Sequence, residues 1–148
     1  MSAGAKIVEA AEAMVGKYPY SWGGGDNNGP TKGIKMAVSP YCDDSNVVGF
    51  DCSGLTKYAV YQATRISLEH NANPQYNNAP KKIELAKKQP GDLLFYGTST
   101  SSITHVTIYA GGNMMIEAPG HNPDGTGKLV RKITIYTNNL LSTVARYW

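Results

Sequence analysis

Cys52, His105 and Glu117 supply the three parts of one reaction: a nucleophile, a base, and a group that orients the base. Cys52 lies in Asp51-Cys52-Ser53-Gly54, where a polar loop gives way to Leu55, Tyr58, Ala59 and Gln62 at helical spacing. Asp51 is a good N-cap type, so the helix is expected to begin beside it. Backbone N–H groups at a helix N-terminus point outward with partial positive charge and stabilise a thiolate. They also receive the oxyanion that forms when a thiolate attacks a carbonyl. Ser53 and Gly54 are small and leave room for a substrate beside the sulfur. A buried structural cysteine is the competing reading of this tetrapeptide.

A thiolate nucleophile needs a partner that accepts and returns protons, normally histidine. The chain has three. His70 and His121 fall in polar segments and are expected as solvated loop residues. His105 falls in a predicted strand over 103–110, with Val106, Ile108 and Ala110 on one face and His105, Thr107 and Tyr109 on the other. Gly111-Gly112-Asn113 reads as a three-residue hairpin loop, which pairs Ala110 with Met114 and Thr107 with Glu117. That register puts Glu117 on the His105 face, one diagonal step away. A one-residue slip turns it to the opposite face. An acid within Met114-Met115-Ile116-Glu117-Ala118 is unusual unless paired, the alternative being an edge-strand glutamate in water.

Around these residues the pattern predicts a helix over 3–15, with Ile7, Val8, Ala11, Met14 and Val15 on one face and Gly16 as its stop. Residues 26–50 read as one long irregular stretch, of the kind that forms lids or stays disordered. Residues 66–90 are polar and punctuated by Pro74, Pro80 and Pro90, with a short helical turn over 82–87. Strands are predicted over 93–96, 103–110, 114–118, 129–136 and 142–147. Helices first and strands later favour an α+β fold. With 148 residues, 41% of them hydrophobic and 17% charged, the chain is read as a single domain, 1–148.

No apolar run is long enough for a membrane span, and Met1-Ser2-Ala3-Gly4 does not open a secretory signal. A net charge of +3 without a Lys/Arg cluster argues against a nucleic-acid partner. Two cysteines are too few for a disulfide scaffold or a four-cysteine zinc site. The set Cys42, Cys52, His105 and Glu117 matches no compact ligand spacing, so no metal is expected.

Five segments in order resemble the NlpC and p-sixty superfamily of cell-wall cysteine peptidases. They are Pro19-Tyr20-Ser21-Trp22-Gly23-Gly24, Phe50-Asp51-Cys52-Ser53-Gly54-Leu55, Pro90-Gly91-Asp92-Leu93-Leu94-Phe95-Tyr96, His105-Val106-Thr107-Ile108-Tyr109 and Met115-Ile116-Glu117-Ala118-Pro119. The resemblance implies a papain-like fold, N-terminal helices packed on an antiparallel half-open β-barrel or sheet of about five or six strands. It implies hydrolysis of peptidoglycan stem peptides at the γ-D-glutamyl–diamino acid bond through a cysteine thioester, without a cofactor. By the same comparison Cys52 is the nucleophile, His105 the base and acid, and Glu117 the third polar residue. Many members carry histidine at that third position. Glutamate, together with Tyr-Ser-Trp-Gly-Gly-Gly, is similar to the secreted mycobacterial-type endopeptidases.

The resemblance also implies that Tyr20 orients groups near the oxyanion, beside Trp22, and that Asp51 and Ser53 lie where some members hold a free substrate amine. It implies a secreted or wall-associated monomer acting on bacterial peptidoglycan, with no membrane insertion. An N-acetylmuramoyl-L-alanine amidase and a non-catalytic wall-binding domain are the alternatives. Residues 26–50 are longer than the family pattern and carry Cys42. Two readings compete there: a lid that narrows the cleft, which is favoured, and a Cys42–Cys52 disulfide that blocks the nucleophile. The intervening polar chain gives no geometric reason for that pair to meet.

Overall fold

A computed structural model describes residues 1–36 and 43–148, so Cys42 and any pairing it makes lie outside the described residues. Helix α1 spans Ala3–Glu12 and starts at Ser2, whose Oγ accepts the Ala5 N–H at 3.1 Å. It ends earlier than the pattern predicts. The chain turns instead through 13–17, and Gly16, at φ +74°, donates its N–H to the Val130 carbonyl at 2.8 Å. Helix α2, Cys52–Thr64, packs along α1 and buries Leu55, Ala59 and Val60. A short helix α3, Ala72–Asn77, stands where Pro74 suggested only punctuation. The proline lies in its first turn, where a missing N–H costs no helical hydrogen bond.

The described residues within 26–50 are less irregular than expected. Strands β1 (Thr31–Lys32) and β2 (Val48–Gly49) pair within them as a small ladder. The main sheet comprises β3 (Lys81–Glu84), β4 (Leu93–Ser99), β5 (Ser102–Gly111), β6 (Met114–Glu117), β7 (Arg131–Thr134) and β8 (Thr143–Arg146). Its order is β3-β8-β4-β5-β6-β7, antiparallel throughout and open at β3 and β7. The expected helical turn over 82–87 is strand β3 followed by a 3₁₀ turn at Leu85–Lys87. Pairing with β8 overrides the local preference, and exposed Lys81 and Lys82 protect that edge from further pairing.

Both faces of the sheet centre are covered. Phe95, Val106, Ile108 and Ile116 join the helix-side core, while Leu94, Tyr96, Met115 and Val144 form a second cluster. This is why Leu93–Tyr96 reads as a continuous apolar run. The hairpin after β5 differs from the expected three-residue loop. Gly112 and Asn113 both have positive φ, Gly111 pairs with Met114, and a bulge follows Tyr109. The bulge absorbs the extra residue, so Ile108 pairs with Ile116 and Glu117 keeps the expected register.

The start of β4 is fixed by Asp92, which is fully buried. Its carboxylate accepts Nε–H and Nη2–H of Arg146 at 2.8 Å each and the Gln89 N–H at 2.8 Å. Arg146→Met leaves that carboxylate buried without a counter-ion and is expected to destabilise the fold by about 3 kcal/mol. Urea unfolding measures this, and a loss below about 1 kcal/mol contradicts the assignment.

Candidate active site

Cys52 is the first residue of α2 and lines a cleft of about 730 Å³. Its thiol is free and partly exposed. The helix start is built by Asp51, whose Oδ1 accepts the Gly54 N–H at 2.7 Å and whose Oδ2 accepts the Gly23 N–H at 3.0 Å. A Cβ on Gly54 would stand 2.0 Å from the Gly24 carbonyl oxygen, so glycine is required where the two segments touch.

His105 faces the same cleft from β5. Tyr96 pairs with His105 but Gly97 pairs with Ile103, so Thr104 is an extra residue in the ladder. A bulge of this kind re-aims the neighbouring side chain. His105 donates Nε2–H to Glu117 Oε1 at 2.7 Å, which leaves Nδ1 for the Cys52 thiol on the same cleft. Glu117 is 1% exposed. Besides His105, Oε1 accepts the Tyr136 hydroxyl at 2.9 Å, and Oε2 accepts Arg131 Nε–H at 2.9 Å and Nη2–H at 2.8 Å. Arg131 is the residue opposite Glu117 on β7.

Burial alone would raise the Glu117 pKa, but His105, Arg131 and Tyr136 outweigh it and hold the carboxyl below its ordinary range. Burial alone would lower that of His105. Hydrogen bonding and charge from Cys52 and Glu117 overcome this and push it up to about 9. Burial, followed by the Glu117 charge, raises both Tyr96 and Tyr136, so Tyr136 stays protonated as a donor.

The His105 shift has a stability consequence. Its folded pKa lies above the ordinary 6.5, so the imidazolium contributes stability that is complete below about pH 6.5 and is lost as the pH rises through about 9. The thermal midpoint is expected to fall across that window in the wild type and to lose this component in His105→Gln. Identical pH dependence in the two proteins contradicts the pairing.

Tyr20, Trp22, Asp51 and Ser53 all line the cleft. Trp22 is exposed, whereas Tyr20 and Ser53 are largely buried. The Ser53 Oγ donates to Asp51 Oδ1 at 3.4 Å, and both oxygens of Asp51 accept from protein donors. His70 and His121 are not solvated loop residues. His70 Nε2–H donates to Asp51 Oδ1 at 2.7 Å. His121 Nε2–H donates to buried Asp44 Oδ2 at 2.7 Å, and that oxygen also accepts the Trp22 N–H at 2.7 Å. The His121 ring meets Tyr20 edge to face at 4.9 Å between centroids. Each polar loop folds back onto a carboxylate far away in sequence, which no local pattern reveals. Arg131, Tyr136 and Asp44 were missed for the same reason.

A cysteine at a helix start, facing a histidine and a carboxylate on adjacent strands of an open antiparallel sheet, defines a papain-like α+β fold. The chain belongs to the NlpC/P60 family, whose profile matches residues 16–138. It is 38% identical over 141 residues to the peptidoglycan endopeptidase RipA of Mycobacterium tuberculosis, covering 95% of this chain and 26% of RipA. The chain thus spans about a quarter of that relative. The P60 domain of an antigen of M. avium subspecies paratuberculosis is 32% identical, with a TM-score of 0.80 over 98% of this chain and 94% of that one. RipD of M. tuberculosis, described as a non-catalytic NlpC/p60 domain protein adapted to peptidoglycan binding, is 27% identical, with a TM-score of 0.80 over 100% of this chain and 99% of that one.

Proposed function

We propose that the chain is a single catalytic domain of a peptidoglycan endopeptidase that cleaves the γ-D-glutamyl–diamino acid bond of stem peptides. The observation that carries this reading is the 2.7 Å bond from His105 to buried Glu117, with Cys52 and the imidazole lining the same cleft. The Cys52 thiolate attacks the amide carbon, and the first N–H of α2, which has no helical acceptor, receives the oxyanion. His105 gives its Nδ1 proton to the leaving amine as the C–N bond breaks, which leaves a thioester. Water then gives a proton to Nδ1 and attacks the thioester, and the sulfur departs as thiolate. Glu117 holds the Nε2–H throughout and stabilises the imidazolium. Tyr20 orients groups near the oxyanion. The cycle needs no cofactor, and the domain acts as a monomer, secreted or attached to the wall.

The likeness to RipD supports a second reading, a domain that only binds the wall. The convergence of Cys52, His105 and Glu117 favours catalysis. Digestion of purified peptidoglycan followed by mass analysis tests both. The endopeptidase releases fragments cut after the γ-D-glutamyl residue, and an amidase frees whole stem peptides from muramic acid. Binding without any solubilisation establishes the RipD-like reading.

A further inference from the structure

The charge of the cleft narrows the substrate. Among the described residues that line it there is no lysine or arginine, although the chain as a whole is at +3. Arg131, the guanidinium nearest the chemistry, is committed to Glu117. The positive end of α2 is already capped by the Asp51 carboxylate, which has its own donors in Gly23, Gly54 and His70. Neutral carboxamides are among the polar side chains that line the cleft instead. Asn71, Asn138 and Asn139 are exposed on the cleft, and their side chains have no hydrogen-bond partner among the described residues. Asn73 differs, since its amide bridges the Thr100 carbonyl and the Ile103 N–H at 2.8 and 2.9 Å.

A γ-glutamyl substrate carries its α-carboxyl group a short carbon chain from the scissile carbonyl, so that group enters the cleft with the reacting atoms. As a carboxylate it meets Asp51 and the Cys52–His105 pair, whose imidazolium is already committed to Cys52 and Glu117, and among the described residues no other cation lines the cleft to offset its desolvation. As a primary carboxamide it carries no charge and both donates to and accepts from asparagine side chains. We propose, on the endopeptidase reading above, that the cleft selects stem peptides whose γ-linked glutamyl residue bears an α-carboxamide and discriminates against the free acid.

Two synthetic stem peptides that differ only in that group test this. The amide is expected to be cleaved with a kcat/KM about tenfold or more above that of the acid, the size of penalty an unpaired charge imposes on one of two competing substrates. Added salt should narrow the gap by screening the acid's repulsion. Asn138→Lys should narrow or reverse it by supplying the missing cation. Equal kcat/KM for the two peptides in the wild type, or a preference for the acid, overturns the proposal while leaving the endopeptidase reading intact. Cleavage of neither peptide removes that reading, and the proposal with it.

Discussion

Cys52→Ala is expected to lower kcat/KM on peptidoglycan by roughly ten-thousand-fold or more, since no remaining group can form the thioester. Ser53, the adjacent hydroxyl, is buried and turned to Asp51, so it cannot substitute. The fold should be unaffected, because Cys52 is partly exposed and its helix is started by Asp51. A stability loss of about 1 kcal/mol, the Cys52 share of the His105 pairing, is expected. His105→Ala should fall to a similar level, and the double variant should be no worse than either, because nucleophile and base act as one unit. Turnover assays beside urea unfolding separate this outcome from simple loss of structure.

Glu117→Gln is expected to cost more than its near-identical shape suggests. The amide keeps one oxygen that can accept from the imidazole. The structure shows both carboxylate oxygens fully used, Oε1 by His105 and Tyr136, Oε2 by Arg131. Glutamine has one oxygen, so its NH₂ must face either the guanidinium or the imidazole and phenol. We expect a loss of about a hundredfold or more in kcat/KM, short of that for Cys52→Ala, with about 2 kcal/mol of stability lost to the unsatisfied buried donors. The pH profile carries the sharper sign. Glu117 helps raise His105 to about 9, so loss of its charge moves the basic limb of kcat/KM to lower pH. A profile that superimposes on the wild type would reassign the orienting group.

The parts of this site that were legible in the sequence are those governed by local rules. Asp51 reads as a cap because an N-cap acts over three residues, and its carboxylate does accept from Gly54. The His105–Glu117 pairing was legible because strand periodicity fixes the face of every residue once a register is chosen, and the hairpin bulge preserved that register. What stayed hidden depends on contacts between distant segments. The bulge at Thr104 arises from pairing with β4, and the Asp44–His121 bond joins residues 77 positions apart. Strand β3 exists because β8 lies beside it, and α3 was masked by a proline that its first turn accommodates.

The most direct measurement is intact-mass analysis of the protein quenched during turnover of a stem peptide. The expected result is a transient increase equal to the acyl fragment, mapped to Cys52, removed by hydroxylamine and absent from Cys52→Ala. Continued release of product by Cys52→Ala, or an acyl group mapped to any other side chain, would contradict the account.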